Sequence, residues 1–505
     1  MGLFSQLETF VNDIGDNVGD VLRGDIAGGL GGLFENSLDF ITLGFYSKVK
    51  QVIDSLQPPD LPAQTYQARS QMGLSATTPK QFVYGRCRIG GQLTYWTTTG
   101  ADSEFMHMVV TLAPHELRSI SQVYFNDELA ITVDNDGDSL YLTVADKFNG
   151  AIARQIFVAN PRAEASSVLV DEMPEWTTDH IGRDHAYIYL KLNYNKEAYS
   201  RGMPNVSCVV RGKKIYDPRT LITSYSTNHA LVCLDYILSD NGLRATLEEV
   251  DLDSFITGAN VCDEQVAGIG GTESRYEING TLEYSASPID NLMALADAGH
   301  ALIHYEQGKW QYVAGTYTAP VMDLDESDLV GGISVMTGPS KSDLVNTVKG
   351  SFLDPRQDFE VVQFPQISID TYVTRDKEVL SAEISAPFTI TASAARRIGK
   401  LHIEQSRFGV RMQAAFKFVA LKLLPGDRVT FSSARLGWDK KIFRIVGGGQ
   451  SISLTGGIDL TLAEDSPDVW SWTEGEALDV DIPPALSLPD SSLSAPLLFA
   501  ASEEL

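Results

Sequence analysis

Three clusters in this 505-residue sequence have residue types and spacings that could do chemistry. The run DNDGD at 134–138 sets Asp134, Asp136 and Asp138 at the first three alternate positions of a calcium loop. Its glycine, Gly137, comes too early, and Ala145 stands where such a loop needs a bidentate carboxylate. A tight turn between strands is the expected role. His300 and His304 are four apart, a spacing that would suit a metal on a helix. They follow a helix end at Gly299 and alternate with Ala301, Ile303 and Tyr305, so strand packing is expected instead. The acidic run DLDESD at 323–328 could supply two carboxylates for glycoside cleavage. Charge runs are usually solvated faces, and nothing around this one specifies a reaction.

The four cysteines, Cys87, Cys208, Cys233 and Cys262, form no CxxC pair, which leaves neither a zinc site nor a redox motif. Buried reduced thiols are expected. No GxSxG, HExxH, P-loop or GxGxxG is present. No catalytic residue, cofactor site or metal site is therefore expected, and the chain reads as a non-enzyme.

The elements around these residues are mostly short strands. Residues 1–56 are the exception. Phe4, Leu7, Phe10, Val11, Ile14, Val18 and Val21 recur three or four apart, and so do Leu38, Ile41, Phe45, Val49, Val52 and Leu56. GDIAGGLGG at 24–32 separates the two runs, which predicts a helical, glycine-hinged arm. A proline-rich linker follows at 57–80. From Gln81, runs such as QFVYGRCRIGGQLTYW and FMHMVVTLA predict a β domain over 81–225. A looser stretch at about 134–184 reads as an insertion in it. Residues 226–320 read as an α+β domain with helices at 228–239 and 290–299. Residues 321–475 are β-rich with one helix near 391–404, and 476–505 read as an extended tail. The fold class expected is mainly β with α+β segments, divided into several domains.

Acidic residues outnumber basic ones by 66 to 39, a formal charge of −27. Such a field repels phosphate backbones and anionic lipid, and no Lys/Arg run offsets it. Duplex DNA can still slide through a pore with acidic walls without being bound. The arm holds eight acidic and three basic residues, opposite in sign to a helix that lies on anionic membrane. It is expected to pack on protein, with host membrane as the alternative. No apolar run reaches the roughly 20 residues of a spanning helix and no secretory signal opens the chain, so cytoplasmic synthesis is expected.

Several strings in order carry a resemblance: VYGRCRIGGQLTYW at 83–96, DHAYIYLKLNYNKEAYSRGMPNVSCVVRGKKIYDPRT at 184–220, and NHALVCLDYILSDNGLRATLEEVDLDSFITGANVCDE at 228–264. Downstream come YEINGTLEYSASPIDNLMALADAGHALIHYEQGKWQYVAG, NTVKGSFLDP at 346–355 and PGDRVTFSSARLGWDKKIFRIV at 425–446. Over about 75–475 the chain resembles the central hub, or tip-attachment, family of long-tailed phages, which includes the host-specificity proteins of lambda-like phages. The resemblance implies a virion protein at the distal tip of the tail, assembled in the host cytoplasm. It implies hub domains of which two are related to tail-tube subunits, and a homotrimer whose six tube-like domains mate a sixfold tube to a threefold tip. Implied partners are the distal tail protein, the tape-measure protein and tail fibre or receptor-binding proteins, with phage DNA passing through unread. Lambda-like relatives continue into further modules, whereas this sequence stops at Leu505, so receptor recognition is expected on separate fibres. A tail-associated peptidoglycan hydrolase and a receptor-binding adhesin are the alternatives.

Overall fold

A computed structural model describes residues 71–481, apart from 76–77, 136–139, 160–163, 174, 200–201, 340 and 453–455. The arm at 1–56, most of the linker and the end of the tail lie outside the described residues. The architecture is mainly β with an α+β segment, as the residue patterns predict.

Two antiparallel sheets share the first core. One orders the strands Arg86–Ile89, Val206–Arg211, Ser119–Phe125, Glu128–Asn135 and Leu140–Val144; the other orders Gln92–Thr99, Phe105–Ala113, Ala186–Asn193 and Ile152–Val158. Ile89, Val123, Ile131 and Cys208 from the first meet Met108, Val110, Ile188 and Leu190 from the second. Ala186–Asn193 is apolar at nearly every position because both its faces are covered: Val109, Tyr187, Tyr189 and Leu169 form a second, smaller cluster behind the sheet. The looser stretch at 134–184 is not outside this body. Leu140–Val144 and Ile152–Val158 are edge strands of the two sheets, and α1 (Ser167–Glu172) covers the small cluster. Edge strands bury fewer positions, so IARQIFV lacks the apolar regularity that marks the inner strands.

The second core gathers α2 (His229–Leu238), α3 (Leu252–Cys262) and α4 (Pro288–Ala298) around the hairpin Leu302–Glu306/Lys309–Val313. Asn228 caps α2 by accepting from the Leu231 N–H at 3.3 Å, and Pro288 opens α4, where its missing N–H costs nothing. α3 escapes the sequence pattern because Gly258, Ile256, Thr257 and Val261 oppose helix on propensity. Tertiary fit overrides that: a Cβ on Gly258 would stand 2.2 Å from the Tyr312 ring. The strand Gln81–Tyr84 pairs with Gly280–Glu283, so Phe82 and Tyr84 join this core while Val83 joins the first.

A six-stranded sheet holds the third core, in the order Met322–Asp325, Arg428–Ser433, Trp438–Ile452, Ile458–Glu464, Arg411–Phe416 and Leu329–Met336. Its two outer strands are separated by only the turn Glu326–Asp328, which holds the two edges of the sheet close together at that turn and curls it into an open barrel. The fourth core lies within residues 341–410, between two neighbouring strands of that barrel. There Thr347–Asp354 pairs in parallel with Ser381–Ala386, and α5 (Asp370–Asp376) and α6 (Ala392–Arg407) complete the body. Thr391 caps α6 where the sequence places a helix start; α5 is too short to show a period.

Candidate functional site

The acidic run at 323–328 is spent on the barrel's own geometry. Asp325 accepts from the Ser327 N–H at 2.7 Å and Asp328 accepts from the Asp325 N–H at 3.1 Å, which closes the turn between the outer strands. Asp323 accepts from Thr430 and Lys440, and Glu326 from Ser433. The hydrogen bond from Thr430 and then Lys440 hold Asp323 below the usual carboxylate range, and the Ser327 bonds do the same for Asp325. A glycosidase needs one carboxyl held protonated, which is the opposite shift.

His300 and His304 do not converge. The Nε2 of His300 lies 3.4 Å from the Ile398 carbonyl oxygen of α6, and that of His304 lies 3.1 Å from Gln311 Oε1 across the hairpin. Burial, and then His402 alongside, push His300 down to about 4. Among the described residues no three side chains of metal-binding type gather at one point. The DNDGD run, expected to be a turn, falls partly outside the described residues. All four cysteines are buried and unpaired with one another in disulfides; burial raises the Cys208 thiol to about 12 and Cys262 to about 11, so neither is a thiolate at neutral pH.

Sequence reasoning misses two arrangements. The first is a chain of hydrogen bonds through the four-stranded sheet. Thr99 Oγ1 lies 2.6 Å from His107 Nε2, His107 Nδ1 lies 2.8 Å from the Tyr189 hydroxyl, and that hydroxyl donates to Glu172 at 2.5 Å. A hydroxyl, an imidazole and an anchored carboxylate are the parts of an activated nucleophile. Here the imidazole is fully buried, and burial followed by Lys191 holds it below its ordinary pKa. Burial works to raise Glu172, but the Tyr189 hydroxyl, Lys191 and Arg154 outweigh it and keep the carboxylate ionised. The chain satisfies polar groups that brace α1 against the sheet.

The second is a set of three buried arginines, each at a different junction between bodies. Arg88 donates to Ser207 at 3.0 Å, to Asp127 at 2.6 Å and to the Asp358 carbonyl at 3.3 Å, and lies over the Tyr124 ring. Tyr124 in turn donates to the Asp358 carboxylate at 2.7 Å, so the first body is clamped to the inserted one. Arg397 of α6 donates to Glu273 at 2.8 Å and to the Arg275 carbonyl at 2.5 Å, which joins the inserted body to the α+β body. Arg428 donates to Asp465 at 2.8 Å, to Thr318 Oγ1 at 2.9 Å and to the Thr316 carbonyl at 2.9 Å, and it ties the barrel to the segment leaving the α+β body. Each guanidinium is almost wholly out of water, but only Arg428 has a carboxylate partner equally buried, and there removing one member of the pair costs several kcal/mol. The only signal for them was an arginine at a core-facing strand or helix position. What this arrangement does chemically is hold four bodies in one orientation.

Residues 287–447 match the model of a family described as putative phage tail proteins. The chain is 24% identical over 370 residues to the baseplate hub protein pb3 of Escherichia phage T5, an alignment that covers 64% of this chain and 37% of that relative. This chain thus spans little more than a third of the curated relative it matches. Its fold is shared by a chain in the virion of a native gene transfer agent particle, at a TM-score of 0.56 and 14% identity, over 90% of this chain and 97% of that one. The chain is thus similar to phage tail proteins over residues 287–447 and to a baseplate hub protein over 370 residues, and it is built on a fold that also occurs in a gene transfer agent particle.

Proposed function

We propose that the protein is the structural hub that closes the distal end of a phage tail tube as a homotrimer. The observation that supports this reading is the presence of two separate β bodies, the two-sheet body at 86–211 and the barrel at 322–464, locked in one rigid chain by buried arginines. Three copies with two such bodies each would present six surfaces, the number a sixfold ring needs if every one of its subunits is to be engaged. The α+β and inserted bodies would then carry only threefold symmetry, which suits a tip that anchors fibres.

In this reading a distal tail protein binds on the tube side, and the tape-measure protein and fibres or receptor-binding proteins bind at the tip. DNA passes along the axis unread, past walls of a chain whose net charge repels it. The reading divides the chain near residues 225, 320 and 475; a change of core near the first two supports it. The part played is mechanical, in host attachment and DNA ejection, and involves no reaction.

Electron microscopy of virions labelled with antibody to this chain tests the proposal. Label at the distal tip with three copies per tail is expected. Label on the shaft or capsid, or six copies in a continuous helical array, would overturn it. Zymography of the purified protein on peptidoglycan should show no clearing.

A further inference from the structure

The four-stranded sheet of the first body ends on the strand Gln92–Thr99. Among the described residues its outer edge meets only a single bridge between Gly73 and Gln92. Beside that edge lies a groove of about 650 Å³ lined by Leu74, Leu93, Trp96, Met106 and Met203. Leu74 is 65% exposed, Trp96 60% and Met203 40%, so three large apolar side chains face water together. Clustered exposure of this kind marks a surface made to be covered, whereas single exposed apolar residues are ordinary.

The chain itself arrives at this groove. Met72 is buried in the first core and its N–H donates to Asn205 Oδ1 at 2.7 Å. The Gly73 N–H donates to the Gly91 carbonyl and the Gly73 carbonyl accepts from the Leu93 N–H, each at 2.9 Å. These bonds fix the point from which the preceding 70 residues of sequence must set out, and Leu74 on the rim of the groove is one residue further on.

We propose that the groove seats the apolar residues of segment 38–56 of the same chain. Leu38, Ile41, Phe45, Val49, Val52 and Leu56 recur three or four apart and need a surface to cover them. Fifteen residues lead from Leu56 to Gln71, a reach of about 50 Å when extended, which is ample to turn back over the groove. Charge selects this segment over the one before it. The whole chain carries −27 and residues 1–56 carry −5, so the remainder carries −22. Residues 1–37 hold six acids and one base, whereas 38–56 balance Asp39 and Asp54 against Lys48 and Lys50. The neutral stretch can approach the acidic body without repulsion. This seat concerns the fold of one chain and stands independently of the hub reading.

Hydroxyl-radical footprinting of the purified full chain, against a chain lacking residues 1–56, tests it. Oxidation at Trp96 and Met203 should rise several-fold on truncation, and equal oxidation in the two would overturn the proposal. Because truncation can disturb folding, the full chain carrying F45S and V49S should show the same rise at Trp96 while L7S with F10S leaves it unchanged; the reverse pattern would refute the choice of segment. The pair F45C with W96C should form a disulfide within one chain at high dilution, the four native thiols being buried. A link found only between chains would give the groove to a neighbouring copy and overturn the same-chain seat. None of these outcomes depends on where the protein sits in a virion.

Discussion

Replacing Arg428 by Leu should cost the barrel about 4 kcal/mol. The guanidinium is 1% exposed and its carboxylate partner Asp465 is 6% exposed, so the pair lies in the range where loss of one member leaves an uncompensated charge. Breaking a buried pair costs roughly 3–5 kcal/mol, and the orphaned Thr316 carbonyl adds about 1 kcal/mol, whereas the hydroxyl of the exposed Thr318 turns to water. Two effects offset this. Asp465 keeps bonds from Trp470 Nε1 at 3.0 Å and from the Ser466 N–H at 2.8 Å, and leucine returns apolar contact with the Tyr317 and Trp470 rings that now flank the cation. Asp465→Asn leaves the arginine unpaired and should cost about 3 kcal/mol, while the double variant should lose clearly less than the two single losses together, by about 2 kcal/mol or more. Urea unfolding gives the stabilities, and hydrogen exchange of residues 428–433 and 458–464 shows whether the loss is local to the barrel. If Arg428→Leu lies within about 1 kcal/mol of the parent, or if the two changes simply add, the arginine is not the clamp described.

Gly258→Ala should destabilise by about 1–3 kcal/mol in thermal melts despite the better helix propensity of alanine, because the Tyr312 ring it strikes is held by His229 at 2.8 Å and cannot retreat. Burial holds His229 at about 4, below its ordinary 6.5. The unfolded chain therefore takes up protons first as pH falls from 6.5 towards 4, and that histidine alone withdraws about 3 kcal/mol across the window. His115, His300 and His402 act in the same direction, and Asp297, raised by burial to about 7, acts against them; calorimetry should show the melting temperature falling over this range, and a rise would refute the assignment. Chelation with EDTA should leave the melting temperature within a few degrees, since DNDGD lacks its closing acid; a large drop would reveal a bound ion.

The inner strands were legible because burial on both faces writes long apolar runs, as in FMHMVVTLA and HAYIYLKLNY. The helices at 229–238 and 392–407 were legible through Asn228 and Thr391, whose side chains do cap them. α3 was not, because its glycine answers a ring some 50 residues away, a constraint no local window contains. The edge strands at 140–144 and 152–158 were lost for a related reason, since partners on one side only leave a weak pattern. The clamps at Arg88, Arg397 and Arg428 join residues up to 270 positions apart, and a lone arginine in a strand gives no hint of its partner. The acidic run shows the converse: a conspicuous local pattern whose carboxylates turn out to be turn caps and strand ties.

The pairing of Gln81–Tyr84 with Gly280–Glu283 sets a clock on biosynthesis. From residue 84 to residue 280 is 196 residues, which a ribosome supplies in about 10–40 s at about 5–20 residues per second. For most of that interval Phe82 and Tyr84, destined for the interior, have no α+β core to enter, because α2 and α3 are made only towards its end and α4 after it. The barrel waits again, as Leu329–Met336 cannot meet Arg411–Phe416 until the inserted body between them has been made. The nascent chain therefore carries unpaired β edges for much of its synthesis, and its yield in the cell should depend on translation rate and chaperone supply more steeply than the finished, clamped block would suggest.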